Sequence, residues 1–267
     1  MSSKEKYSFE PRITVITSLY KAGDHIDLFL EEIQKQTIFS DIDWYFIDAN
    51  SPDGELEKIL EYQKEFKNVR IASTRERIGI YEAWNKGIKK AKAEFISNLN
   101  VDDKISHEYY EIMLNELKKR KDVDIIYSDI YVTEEKEKTF KDFNEEDDIL
   151  ITPKFCDIHS VMFFGAAHNC PVWRKSIHDD LGLFDEGFTS SGDKEFWMRA
   201  NVSGKKFKKI NIPLAVYYYN PEGISTKGAK NGMRPEIVEK EDEIIRKHYS
   251  QEINDHGLRN YNNNINS

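Results

Sequence analysis

The chain has 267 residues, 39% of them hydrophobic and 33% charged, which is enough to bury the core of one α/β domain of the larger kind. Acidic residues outnumber basic ones 48 to 39, and the formal charge of −9 excludes a broad basic footprint for nucleic acid. A nucleotide would need only a local positive patch or a metal. No run approaches the roughly 18 apolar residues of a membrane span, and Met1-Ser2-Ser3-Lys4-Glu5-Lys6 lacks the apolar centre of a signal peptide. With only two cysteines, Cys156 and Cys170, the expectation is a reduced, cytoplasmic setting. No basic amphipathic anchor stands out, so membrane contact would be peripheral at most.

Apolar residues fill positions 13–19, and 24–36 carries Ile26, Leu28, Phe29, Leu30 and Ile33 at helical spacing, a strand and then a helix. The pattern returns as 44–47 with 56–66, as 69–72 with 80–91, and as 95–99 with 109–117. Four βα units in series predict a mostly parallel, doubly wound α/β sheet. After Ile125-Ile126-Tyr127 the rhythm breaks. Segments 130–133 and 139–143 flank Glu134-Glu135-Lys136-Glu137-Lys138 and read as a hairpin with a solvated tip, a small antiparallel addition. Segment 149–164 is irregular and apolar. A short helix near 175–181, a longer one at 194–203 and a strand at 214–219 follow. Pro221, Gly223, Gly228 and Gly232 mark a mobile segment, and 235–249 has helical spacing at Ile237, Glu241, Ile244 and Ile245. The Asn-rich tail 260–267 holds too little apolar surface to order itself. The expected division is one domain over 1–225, with 226–267 packing on it as mobile segment, helix and polar tail.

Chemistry-bearing residues gather at strand ends. The first two strands end in Thr17-Ser18-Leu19-Tyr20 and Asp48-Ala49-Asn50-Ser51-Pro52-Asp53-Gly54, and the fourth in Asn98-Leu99-Asn100-Val101-Asp102-Asp103. The C-terminal tips of parallel strands line one crevice, so these groups should converge on one ligand. Hard oxygen donors at the last tip suit Mg²⁺ or Mn²⁺ carrying a diphosphate, although Asp and Asn are also ordinary turn and N-cap residues. Asn50 to Gly54 is equally good turn chemistry. Arg75 and Arg77 either neutralise a diphosphate or stand solvated. Cys156, His159, His168 and Cys170 offer zinc-type ligands, but the His-x-Cys spacing of the second pair is atypical of structural zinc.

Gly79-Ile80-Tyr81-Glu82-Ala83-Trp84-Asn85-Lys86-Gly87-Ile88, followed by the Asn100-Val101-Asp102-Asp103 tip, resembles the family 2 glycosyltransferases of GT-A fold. There a Gly-Ile-Tyr-Asp-Ala-Met-Asn-Lys-Gly-like helix precedes a strand with a DXD-type metal motif. Gly182-Leu183-Phe184-Asp185, then Asp193-Lys194-Glu195-Phe196-Trp197-Met198-Arg199, is similar to a second family segment, and the likeness runs from about residue 13 to 225. It implies a Rossmann-like sheet of GT-A type and a nucleotide-sugar donor, UDP-linked by preference. The implied reaction is inverting transfer to a carbohydrate or lipid-linked glycan hydroxyl, in polysaccharide or surface-glycan biosynthesis. By the resemblance, Thr17, Ser18 and Tyr20 cradle the base, Tyr20 stacks on it, and Asp48 accepts a pyrimidine N–H. Arg77, Asn85, Asn100, Val101 and Asp102 serve the nucleotide, and Asp102 with Asn220 ligates Mn²⁺ or Mg²⁺. Asp193 is the general base. His168 and Trp173 lie on the acceptor side, Trp173 as packing or as a sugar platform.

The chain departs from the family at Ala49 and Asn50, where Asp-Asp-Gly-Ser is usual, at Asn100 in place of the first Asp of DXD, and at Asn220 in place of a His. The last two weaken a metal site. They sustain an alternative, a non-catalytic nucleotide-sugar-binding partner subunit of the same fold. A nucleotidyltransferase is disfavoured, because Ser18-Leu19-Tyr20-Lys21-Ala22-Gly23-Asp24 has one glycine and is no phosphate loop.

Overall fold

The structure, a computed structural model, describes residues 9–255 apart from 145–146, 148, 154–156, 165–166, 168–169, 228 and 230–233. Strands β1 (Ile13–Leu19), β2 (Ile42–Asp48), β3 (Val69–Ser73) and β4 (Phe95–Asn98) alternate with helices α1 (Ile26–Gln34), α2 (Glu55–Glu65) and α3 (Ile80–Lys90), and α4 (Tyr109–Lys119) follows. All four strands are parallel, with Ile13 facing Ile42 and Phe95. Their apolar runs follow from burial on both faces; all seven residues of β2 are buried.

The remaining elements are β5 (Lys104–Ile105), β6 (Ile125–Thr133), β7 (Ile149–Leu150), α5 (Ile158–Phe164), β8 (Val172–Arg174), α6 (Ile177–Leu181), α7 (Gly192–Val202), β9 (Phe207–Tyr218) and α8 (Glu236–His248). The sheet order is β3-β2-β1-β4-β8-β6-β9-β5, with β7 on the edge of β6. The order reverses direction at β1, so the tips of β1 and β4 flank the switch point where open α/β sheets hold ligands.

Alternation along β1 sorts the core into two layers. Ile13, Val15 and Leu19 pack with α1 and α4, whereas Ile16 packs with α3, α5 and α7. Helix α3 lies directly on β1: a Cβ on Gly87 would sit 2.5 Å from Ile16 Cγ2. Helix α8 joins this second layer through Ile245.

The hairpin expected across 130–143 does not form. Residues Phe140–Asp142 make one turn of 3₁₀ helix, because the Thr139 amide and hydroxyl both donate to the Asp142 carboxylate at 2.8 Å, a local bond that competes with strand pairing. Strand β6 instead pairs antiparallel with β7, Ile130 facing Leu150, and with β8, Ile126 facing Val172. The stretch read as irregular thus holds β7 and α5. Strand β9 begins seven residues before the expected 214, and it runs parallel to β6. Its early part is masked in sequence by Lys208 and Lys209. Lys209 is buried and pairs with Asp129 at 2.7 Å, so tertiary pairing overrides the polar pattern. Gly228, Gly232 and the tail 260–267 lie outside the described residues.

Candidate active site

The chain leaves β4 at Leu99, whose N–H still bonds Ile16 O at 3.1 Å, and turns over Asn100 to Asp103. Asn100 Nδ2 donates to Asp103 Oδ2 at 3.3 Å, and Lys104 Nζ donates to the Asp102 carbonyl at 3.1 Å. Val101 packs on the core cluster below. The strand β9 ends beside this turn, so Asn220 Nδ2 donates to Asp102 Oδ2 at 3.3 Å. The two residues expected to share a metal are therefore in contact. Burial, reinforced by the Asp103 and Asp102 carboxylates, pushes the Cys170 thiol up, which marks a negative field at this tip.

The tips of β1 and β2 are tied together. Ser51 Oγ accepts Lys21 N–H at 2.8 Å and donates to Glu55 at 2.9 Å, and the same Glu55 oxygen accepts Ala22 N–H. Lys21 and Asn50 adopt left-handed φ of 53° and 60°, a conformation Asn tolerates better than most residues. Tyr20 stands here with the Arg77 guanidinium 4.3 Å from its ring centroid. Ser18 is half-buried, and Thr17 is buried with no partner for its hydroxyl among the described residues. Asp48 is buried and accepts Ser51 N–H at 2.9 Å; burial pushes its carboxyl above the usual range, opposed by that bond and assisted by nearby Glu55.

Asp193 lies in the first turn of α7. The turn can approach α3 closely because residue 192 is glycine: a Cβ there would meet the Tyr81 ring at 2.7 Å. The single Tyr81 Oη–H is shared between Ser190 O at 2.6 Å and Asp193 Oδ1 at 3.3 Å, and Lys194 N–H donates to the same Oδ1 at 2.8 Å. Burial, with the Asp193 charge second, pushes the Tyr81 phenol well up, so it stays a proton donor to the carboxylate. A cleft open to solvent brings Asp193 together with Asn98, Asn100, Trp84 and Trp197.

Two expected site residues stand elsewhere. Asn85 is buried; its Oδ1 accepts Phe184 N–H at 3.0 Å, while Nδ2 donates to Phe184 O and Glu186 Oε1 at 2.9 Å each. Its amide braces the 184–186 loop against α3. Trp173 is 1% exposed, packs edge-to-face with Trp197, Phe184 and His178, and donates Nε1–H to His178 Nε2 at 3.0 Å. It is packing, and no sugar platform. His168 and Cys156 lie outside the described residues. Of their suggested zinc partners, His159 contacts Ile253 O at 3.1 Å and Cys170 is buried against Ser97 and Tyr109.

The donor set suits a hard ion. Asp102 offers a carboxylate, while Asn220 and Asn100 turn Nδ2 to Asp102 and Asp103 and could offer only their amide oxygens; no group of three His, Cys, Asp or Glu is gathered among the described residues. A divalent ion here would draw its other ligands from diphosphate and water, the habit of Mg²⁺. Sequence reasoning assigned no role to the Tyr81 hydroxyl or to Glu241. For Glu241 the signal was present: a carboxylate at a core-facing position of an amphipathic helix.

The glycosyl transferase family 2 model matches residues 14–180, well over half of the chain, and the chain belongs to that family. It is a glycosyltransferase. It is 24% identical over 261 residues to the uncharacterized glycosyltransferase EpsJ of Bacillus subtilis (strain 168), covering 93% of this chain and 71% of that protein. Two solved structures share the fold. Residues 1–349 of S. aureus TarS in complex with UDP-GlcNAc align with a TM-score of 0.66 at 16% identity, over 82% of this chain and 61% of that one. The mannosyltransferase PcManGT from Pyrobaculum calidifontis, in complex with GDP-Man and Mn²⁺, aligns with a TM-score of 0.58 at 15% identity, over 81% and 59%. This chain therefore spans about three fifths of those two, and Asp193 and Asn220 lie beyond the family-matched segment.

Proposed function

We propose that the protein moves a sugar from a nucleotide-sugar donor, UDP-linked by preference, to a hydroxyl of a carbohydrate or lipid-linked glycan, with inversion. The observation that carries the reading is the shared cleft: Asp193 from α7 and Asn100 from β4 line one cavity. Inversion at an anomeric carbon needs a base on one side and neutralisation of a departing diphosphate on the other. Tyr81 and the Lys194 amide occupy Asp193 Oδ1. Oδ2 has no bond to a described residue and is the oxygen that takes the acceptor's proton as the hydroxyl attacks.

On the leaving-group side, Tyr20 and Arg77 form a flat cationic stack beside the β1 tip, the local positive patch that an acidic chain needs. Asp48 receives the N–H of a pyrimidine, and Thr17 Oγ1, which has no partner among the described residues, receives a further polar group. Asp102 and Asn220 would hold Mn²⁺ or Mg²⁺, and the ion would supply positive charge to a departing diphosphate. A cytoplasmic surface-glycan role with peripheral membrane contact accords with the cysteine usage and with the lack of any helix long and apolar enough to cross a membrane among the described residues.

One observation favours the alternative, a non-catalytic nucleotide-sugar-binding subunit. Asn220 is already satisfied, donating to Asp102 and accepting Glu222 N–H at 3.0 Å, so the ion must compete for it. Thermal melting against UDP, GDP, CDP and dTDP, each with and without Mn²⁺, tests the donor site. A ligand at about 100 times its dissociation constant adds roughly 2.7 kcal/mol. A Mn²⁺-dependent rise with UDP is expected and should vanish in Asp102→Ala; no rise with any nucleotide contradicts the site.

A further inference from the structure

Asp193 lies in the first turn of α7, whose N-cap residue Ser191 makes no side-chain capping bond. The restraint comes from α8. Glu241, 5% exposed, accepts Thr189 N–H at 2.6 Å through Oε1 and the N–H groups of Ser190 and Ser191 at 2.9 and 2.7 Å through Oε2. Its neighbour Asp242 accepts Ser191 Oγ–H at 3.1 Å and pairs with Lys194 at 2.7 Å and Arg234 at 2.8 Å. From the other side Tyr81 bonds Ser190 O.

Residues 189–191 are thus held by their N–H groups from α8 and by a carbonyl from α3. The Glu241 carboxylate has no ion-pair partner among the described residues. Its burial is offset by three charge-assisted bonds and by the positive end of α7. A shift of those three residues would carry Asp193 with them, because the next residues are the first turn of the helix.

We infer that Glu241 is a positioning residue for the base, acting through the backbone of residues 189–191 to fix Asp193 in the cleft. The inference rests on the glycosyl-transfer reading. It also makes α8, which lies beyond the family-matched segment, part of the working site. Misplacing a reacting group by 1 Å can cost on the order of 100-fold in rate.

Steady-state kinetics of the full chain, run well below each variant's melting temperature, test this. The unmodified chain is measured first: no turnover with any nucleotide sugar removes the transfer reading and this inference together. Given turnover, Glu241→Ala should lose about tenfold or more in kcat with donor KM held within about twofold. Glu241→Gln, which keeps a carbonyl acceptor, should recover part of that loss. If Glu241→Ala does not fold, Glu241→Gln alone should show a several-fold loss in kcat at unchanged donor KM. An unchanged kcat in a folded variant, or a loss shared equally with donor KM, overturns the inference and leaves the transfer reading standing.

Discussion

At the tip of β2, Asp48 sets stability against binding. Its carboxyl is pushed above the ordinary range chiefly by burial, so ionising it costs more in the folded chain than in the unfolded one. Such a group contributes most below its unfolded pKa, and that contribution is lost as pH rises through the folded value. Asp48→Asn keeps an oxygen for Ser51 N–H and removes the penalty. At pH 7 it should melt no lower than the parent, while binding UDP about 10- to 100-fold more weakly through loss of a charged hydrogen bond worth roughly 1.5–3 kcal/mol. Melting and UDP titration of the same preparation check both halves. At this scale the sequence was legible where chemistry clusters at strand tips: Asp102 meets Asn220, and Tyr20 meets Arg77. It was silent on the contacts of Asn85, whose partners Phe184 and Glu186 come from a loop some hundred residues away that spacing along α3 cannot locate.

The helices and strands are positioned by close contacts that single residues control. Gly87 lets α3 rest on Ile16, and Gly87→Val should cost about 1–3 kcal/mol by overpacking, read as a lower denaturant midpoint with unchanged slope. His178 links α6 to the aromatic layer, donating Nδ1–H to Gly182 O at 2.8 Å while Nε2 accepts from Trp173. That arrangement needs a neutral ring, and burial lowers its pKa below the ordinary value. A depressed histidine contributes stability above its unfolded pKa of about 6.5, and the contribution is lost as pH falls from there toward the folded value. The melting temperature should therefore drop between pH 7 and 5, and drop less in His178→Asn, which cannot titrate. The parallel elements were legible because doubly buried strands read as apolar runs. Strands β5 and β8, of two and three residues, are too short to carry a period, and the β9 start hides behind lysines that pair only in the folded chain.

Across the whole molecule, the reversal of strand order at β1 sets the tips of β1 and β4 side by side, and α7 from the second half of the chain brings Asp193, the proposed base, to the same cleft as Asn100. Asn220 closes one side of this arrangement onto Asp102, and α8 braces the other onto residues 189–191. The proposed division of labour rests on the cleft that Asp193 shares with Asn100. Its most direct test is sugar transfer by the parent chain and by Asp193→Asn, measured alongside donor binding. Donor affinity within about twofold of the parent is expected, together with a loss of transfer of about 100-fold or more, the scale of a general base. Retained turnover, or donor binding lost in step with activity, would contradict Asp193 as the base and the division of the cleft into acceptor and leaving-group sides.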